Sequence, residues 1–410
     1  MKAIFLAHTA APSGAELATL RLVSAMPAAS TAVVYTEDGP MLRRMAARGI
    51  ETRTVTGDFD SRALTIDKAG VRSLLTGCVN LVRLGWRLGE TVRELDGTVV
   101  VAGSSKALLM GAVAARRARV PLIWHVHDRI SADYFGRWLA LALRLLGWIV
   151  AHGYIANSRG TLASLSTRGR RTLVAYPGVE FDNQPQFRCG NAIPGLVDNS
   201  ETASADETDR NTTDHDTFSL ISYPQRPAAE TIVVVVGRLA PWKGQDLFLR
   251  ALADVEIQPS SVYLVGGTFF DEEPYHAELE MHATALNLPV VFTGHVDDPE
   301  SYLRYADILV HCSVLPEPFG QVVVEGMAAG CAVIATRPGG PEEIVEPGVN
   351  GLLVDAGDRA QLTRALDRLI ADQELRAKLA DAARIRARNF DVAVSARAVT
   401  AFLTGLPGRR

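Results

Sequence analysis

Residues 316–340 read PEPFGQVVVEGMAAGCAVIATRPGG. Two carboxylates, Glu317 and Glu325, stand with seven residues between them, and Pro-Phe-Gly follows the first. The run QVVVEGMAAG holds small and apolar residues with no breaker before Gly330, which predicts a buried helix. CAVIAT after it predicts a short strand of a parallel sheet. A helix opening at Phe319-Gly320 leaves unpaired N–H groups with partial positive charge, able to bind a phosphate. Glu325 falls about a turn and a half along that helix. A carboxylate there can accept hydrogen bonds from two vicinal hydroxyls, as a ribose presents them. Glu317 lies on the loop at the carboxyl end of the preceding strand, the edge where open α/β sheets place ligands. Singly, Glu317 reads as a solvated loop residue and Glu325 as a helix-face charge. The pair, with Pro-Phe-Gly between and Gly339-Gly340 after, is far more specific.

Upstream, residues 231–252 read TIVVVVGRLAPWKGQDLFLRAL, a strand, a turn and a helix. Arg238 follows the strand and Lys243 opens the helix. A rigid guanidinium fork and an ammonium point charge together suit a diphosphate; otherwise both are solvated loop cations. SVYLVGG (261–267) and LPVVFTGHV (288–296) are further strands, the second turning at Gly294.

The first half alternates strands, predicted at Ala3–Ala7, Ala32–Tyr35, Thr52–Val55, Val99–Ala102, Leu122–Val126, Gly153–Ala156 and Leu173–Ala175, with helical patterns. By pattern this is a doubly wound parallel sheet. After the first strand, Pro12-Ser13-Gly14 makes a loop of small residues before a helix, which lets a ligand approach the backbone. It lacks the spacing of a dinucleotide fingerprint. In PLIWHVHD, His125, His127 and Asp128 reach the carboxyl end of a strand, with both imidazoles on one side. A metal pair would need further ligands that the sequence does not supply nearby.

Glu317-Pro-Phe-Gly…Glu325, with Gly339-Gly340-Pro341-Glu342-Glu343 after it, resembles the signature of retaining glycosyltransferases of family 4. The resemblance covers most of the chain and fades between Asp182 and Glu230. It implies the GT-B fold, two Rossmann-like domains facing a cleft. It implies that Glu317 contacts a donor sugar, Glu325 holds a ribose, and Arg238 and Lys243 bind the diphosphate. It also implies that His127 faces the donor sugar, that Gly14 lines the cleft, that Gly294 lies by the nucleobase, and that Phe319 and Gly320 border the donor. Tyr176-Pro177-Gly178-Val179-Glu180 is similar to the family's Asn-Gly-Val-Asp turn, with Pro177 in place of Asn.

The resulting organisation is an acceptor-binding domain over 1–181, a polar acidic insert over 182–230, a nucleotide-sugar domain over 231–393 and a helix over 394–410 crossing back to the first domain. The insert contains LVDNSETASADETDRNTTDHDTF, too poor in aliphatics to offset the entropy of ordering. At 410 residues, 48% of them hydrophobic, the chain has material for two cores. Its four cysteines, Cys78, Cys189, Cys312 and Cys331, have neither metal-ligand nor disulfide-framework spacing, which fits a reducing cytosol. MKAIFLAHTA is too short an apolar run for a signal peptide. The run from Trp138 to Ala151, broken by Arg144, falls short of a membrane span.

Charge is uneven. Residues 1–175 hold 23 Lys and Arg against 12 Asp and Glu, while the remainder holds 19 against 34. A basic first half, with a helical stretch between Arg62 and Arg93 carrying Arg83 and Arg87, suits an anionic surface. It equally suits a sheet-covering helix with a solvated polar face. No nucleic-acid motif accompanies the charge. The expected activity is transfer from a nucleotide-diphosphate sugar to a sugar, lipid-linked or small-molecule acceptor, without metal or other cofactor. The alternatives are a nucleotide-sugar-binding partner subunit without activity, or a phosphorylase or epimerase on the same fold.

Overall fold

The computed structural model describes residues 1–57, 71–181, 230–268 and 272–406, and of residues 71–76 and 78 only the backbone. The polar insert and the start of the Arg62–Arg93 stretch lie outside the described residues.

The first sheet contains seven strands: β1 (Ala3–Ala7), β2 (Thr31–Tyr35), β3 (Glu51–Thr54), β4 (Val99–Ala102), β5 (Leu122–Val126), β6 (Gly153–Ala156) and β7 (Arg171–Val174). Their order is β3-β2-β1-β4-β5-β6-β7 and every pairing is parallel. The second sheet contains β8 (Ile232–Val236), β9 (Ser261–Val265), β10 (Val290–Gly294), β11 (Ile308–Val310), β12 (Ala332–Arg337) and β13 (Leu352–Asp355). Its order is β10-β9-β8-β11-β12-β13, also parallel. Helices cover both faces of each sheet, so the central strands are buried on both sides and read as unbroken apolar runs. The winding reverses between β1 and β4, and again between β8 and β11. Those two points open crevices at the carboxyl ends of the strands.

Three predicted strands begin one or two residues early in the structure, at Thr31, Glu51 and Arg171. Pairing decides this: Glu51 stands opposite Ala32, and Arg171 opposite Gly153. Alternation in a short, partly polar strand does not set that register.

The helix Val392–Thr404 leaves the second domain and lies on the first. Ala396, Val399, Phe402 and Leu403 share a core with Phe5, Leu20 and Leu22. The crossing is pinned at Val179, whose N–H donates to Phe390 O at 3.0 Å and whose carbonyl accepts from Val392 N–H at 3.0 Å. Gly178 is required there, because a Cβ would come 2.3 Å from Phe390 O.

Candidate active site

Glu317 lies on the loop after β11, at the reversal point of the second sheet. Its carboxylate accepts from Lys243 Nζ at 3.1 and 3.0 Å and from Ser313 Oγ at 2.9 Å. His311 Nε2 is 3.4 Å away. The imidazole is anchored from behind, with Nδ1 3.2 Å from Thr336 Oγ1, which in turn donates to Ser313 O at 2.9 Å. Desolvation alone would raise the Glu317 carboxyl. The Lys243 ammonium and His311 outweigh it and hold the carboxyl well below its usual range. Glu317 is therefore a fixed anion with a fixed orientation.

Lys243 ends a short 3₁₀ turn, Pro241–Lys243, and its Nζ sits 4.3 Å from the centroid of the Trp242 ring. Gly244 follows in the left-handed region, and a Cβ there would meet Cys312 O at 2.2 Å. The turn is thus pressed onto the chain just past β11, which brings Lys243 and Glu317 together. Arg238, just past β8, pairs with Glu272 at 3.4 Å. Gly294 ends β10 with φ +66° and open space on its Cβ side.

The helix after the turn is Gln321–Ala329, and Gly320 is its N-cap in the left-handed region, φ +91°. It therefore starts just past the predicted Phe319-Gly320. Gly340 makes the loop compact: its N–H donates to Glu317 O at 2.8 Å, and a Cβ would stand 2.2 Å from Phe319 Cα. The Phe319 ring is buried among aromatics, stacked on Tyr176 at 5.6 Å and 5.9 Å from Phe390. Any part it takes in binding a donor comes from its backbone. Glu325 accepts from Arg21 Nη1 at 2.7 Å and from Gln321 Nε2 at 3.2 Å. Arg21 belongs to the helix Gly14–Ser24 of the first domain.

On the first domain, β5 delivers His125 and His127 to its carboxyl edge with ring centroids 4.1 Å apart. Among the described residues, His125 Nδ1 and His127 Nε2 are buried without a hydrogen-bond partner. Burial lowers the His127 pKa to about 4 and drives His125 well down, helped by His127, so both rings are neutral near pH 7. Asp128 is exposed just past β5, and its carboxyl is pushed up by desolvation from the protein around it and by the charge of Glu317 on the other domain. Gly14 is exposed, with open space around it, at the start of its helix. Two residues on, Glu16 is buried and its carboxyl raised by burial, against the pull of its hydrogen bond with Ser13. At the reversal point of this sheet His8 Nδ1 lies 2.9 Å from Ser104 Oγ, and burial plus Lys106 lowers its pKa to about 4.

Direct contacts hold the cleft together. Tyr134 donates to Pro316 O at 2.7 Å, and Ser158 to Pro318 O at 2.6 Å. Glu343 accepts from the N–H groups of Arg159 and Gly160, at 3.0 and 2.9 Å, at the start of the helix Arg159–Ala163, and from Tyr176 OH at 2.9 Å. A carboxylate from one domain thus satisfies the open helix start of the other.

The structure joins Lys243 to Glu317, puts Gly320 at the start of the helix that carries Glu325, and ties Glu325 to Arg21. His127 and Asp128 lie just past β5 on the first domain, Asp128 near enough to Glu317 to feel its charge. The sequence reading passed over Arg21, Tyr134, His311 and Ser313. His311 and Ser313 carried one usable signal, their place directly after a short apolar strand. Arg21 and Tyr134 carried none, since each acts on residues far away in sequence. Among the described residues, no group of three or more His, Cys, Asp or Glu is placed to hold a metal ion.

Two sequence profiles match the chain. Glycosyltransferase Family 4 matches residues 8–183, and Glycosyl transferases group 1 matches residues 222–386. Together they account for most of its length. The two-sheet architecture is the GT-B fold, and the two profiles show that the chain belongs to the family-4, group-1 glycosyltransferases. The lipopolysaccharide core biosynthesis glycosyltransferase LpsE of Rhizobium meliloti is 34% identical over 157 residues, 38% of this chain and 44% of that protein. A D-inositol 3-phosphate glycosyltransferase of Corynebacterium kroppenstedtii is 34% identical over 179 residues, 42% of this chain and 40% of that protein. The aligned stretches thus span less than half of these curated relatives. The crystal structure of Anabaena Alr3699/HepE in complex with UDP and glucose matches 99% of this chain and 100% of its own, with TM-score 0.78 and 27% identity.

Proposed function

We propose that the chain transfers a sugar from a nucleotide-diphosphate sugar to an acceptor hydroxyl, with retention of configuration and without a metal. The observation that carries this is the Lys243–Glu317 ion pair at the second sheet's crevice, followed by the Gly320 helix start and by Glu325 on that helix. The bond from the anomeric carbon to the diphosphate breaks, the acceptor oxygen bonds to that carbon from the same face, and its proton leaves with the diphosphate. Charge builds on the leaving diphosphate. Lys243, Arg238 and the N–H groups behind Gly320 would meet it as fixed donors, the role a metal ion plays elsewhere. Glu317, held ionised, accepts hydrogen bonds from the donor sugar, and Glu325 from the ribose. The cysteine spacing supports a cytoplasmic setting, and the basic first domain suits a phosphate-bearing or lipid-linked acceptor.

UDP-glucose is the first donor to test, because the Anabaena relative was crystallised with it. Purified chain is incubated with UDP- and GDP-sugars, with and without EDTA, and the anomeric proton is followed by NMR. Turnover that survives EDTA and yields a product with the donor's anomeric configuration is expected. Binding without turnover would make the chain a partner subunit. Phosphorolysis or epimerisation would make it a different enzyme. Loss with EDTA and rescue by Mg²⁺ would overturn metal independence.

A further inference from the structure

The helix Arg137–Val150 reads RWLALALRLLGWIV, apolar apart from Arg137, Arg144 and Gly147. It presses onto the first sheet through Ala140 and Gly147, where a Cβ would come 2.5 Å from the Trp124 ring. Arg144 is turned inward and donates to Ile130 O at 2.9 Å. The opposite face is then wholly apolar and open. Trp138 is 81% exposed and Ile149 60%, with Leu141, Leu145 and Trp148 also exposed along one helical stripe. A helix that is apolar all round is ordinarily buried on both sides. Here one side has no protein cover among the described residues.

The neighbouring surface has the same character. The helix Val71–Glu94 packs, like Arg137–Val150, against Ser105–Ala118 in one core, and it exposes Val82 and Trp86 beside Arg83 and Arg87. Arginines border it: the Arg170 guanidinium lies over the Trp148 ring at 5.8 Å, and Arg117, mostly buried and paired with Glu90 at 3.5 Å, lies over Trp86 at 4.4 Å. No Asp or Glu occurs from Tyr134 to Val179.

We propose that this face docks on an anionic lipid bilayer, with the stripe from Trp138 to Ile149 lying in the interface and the surrounding arginines on lipid phosphates. Exposed tryptophans backed by arginine fit the headgroup region, where an apolar ring and a polar edge are both satisfied. A second copy of the chain fits poorly, because a two-fold contact would set arginines against arginines. The helix lies in the surface and does not cross it: no described helix is long and apolar enough to span a membrane. The stripe begins next to the cleft, since Tyr134, just before this helix, holds Pro316 O on the opposite domain. Docking would keep the cleft mouth at the bilayer. The proposal goes beyond the transferase reading and its test does not depend on it.

The full chain is co-sedimented with vesicles of phosphatidylcholine alone and of equimolar phosphatidylcholine and phosphatidylglycerol. Binding to the mixed vesicles only, weakened by salt, is expected. Trp138→Ser with Ile149→Ser should reduce it by about tenfold or more, and Arg83→Glu with Arg87→Glu several-fold, with unchanged melting temperatures. Donor turnover in solution should be unaffected by the Trp138 and Ile149 changes. No binding to either vesicle, or wild-type binding by the Trp138 and Ile149 variant, would overturn the proposal. So would a dimer in sedimentation velocity that these changes disperse while vesicles fail to bind, which would assign the face to a second copy.

Discussion

Arg21 Nη1 stands 2.7 Å from Glu325 Oε1, so a helix of the first domain holds the carboxylate that the family resemblance assigns to a donor ribose. The two side chains are 26% and 17% exposed. An arriving ribose would have to take Glu325 from Arg21 or share it.

Arg21→Ala should therefore tighten nucleotide binding, by about 2–5-fold if the pair is worth about 0.5–1 kcal/mol. Isothermal titration with UDP measures this. Unchanged or weaker affinity would mean that Arg21 and the nucleotide do not compete for Glu325.

Lys243→Ala should lower kcat by about 10²–10³-fold through the loss of one fixed donor. It should also lower the melting temperature, because Glu317 would keep its charge without its partner. Adding Glu317→Gln should restore the melting temperature and leave turnover low. If the double variant is no more stable than Lys243→Ala, the ion pair does not set the electrostatics of the loop.

His127 shows a pH effect of definite sign. Its folded-state pKa is about 4 against 6.5 for the free side chain, the result of burial. Between those values the unfolded chain takes a proton that the folded chain refuses, so this residue's contribution to stability falls as pH falls. His127→Gln removes that loss. The variant's melting temperature relative to wild type should rise from about pH 7 to about pH 5, by the equivalent of roughly 1–2 kcal/mol. A difference that stays flat with pH would show that His127 titrates normally.

Gly340→Ala should destabilise the second domain by about 1–3 kcal/mol and reduce activity, because the new methyl would meet Phe319 Cα at 2.2 Å. Gly14→Ala, with nothing within 4 Å of the added methyl, is the matched control and should leave stability nearly unchanged. Thermal melts of the two variants decide it. Equal melts would mean that the Pro316–Gly340 loops can part without cost.

Much of this protein was legible in order along the chain. Runs such as Ile232–Val236 and Val99–Ala102 announced buried parallel strands, because a strand covered on both faces has no polar positions to interrupt it. The Glu317 to Glu325 spacing located a turn, a helix start and a carboxylate on one crevice, since a helix's geometry is local and repeats from residue to residue. The apolar run at Trp138 was visible too, and its 14-residue helix is too short to span a bilayer.

Its outward face was not legible, because periodicity cannot tell which side of an all-apolar helix meets a sheet. Gly147 against Trp124 decides that, and with it the exposure of Trp138 and Ile149. The bonds of Arg21 to Glu325, Tyr134 to Pro316 and Glu343 to the helix start at Arg159 were likewise hidden. Each joins residues more than 180 positions apart in sequence. Local propensity acts over a few residues, whereas a contact across a cleft exists only once both sheets have folded and the crossing helix has fixed how they face. Sequence determined the two crevices and most of the charged groups at them; the tertiary structure alone decided which of those groups meet.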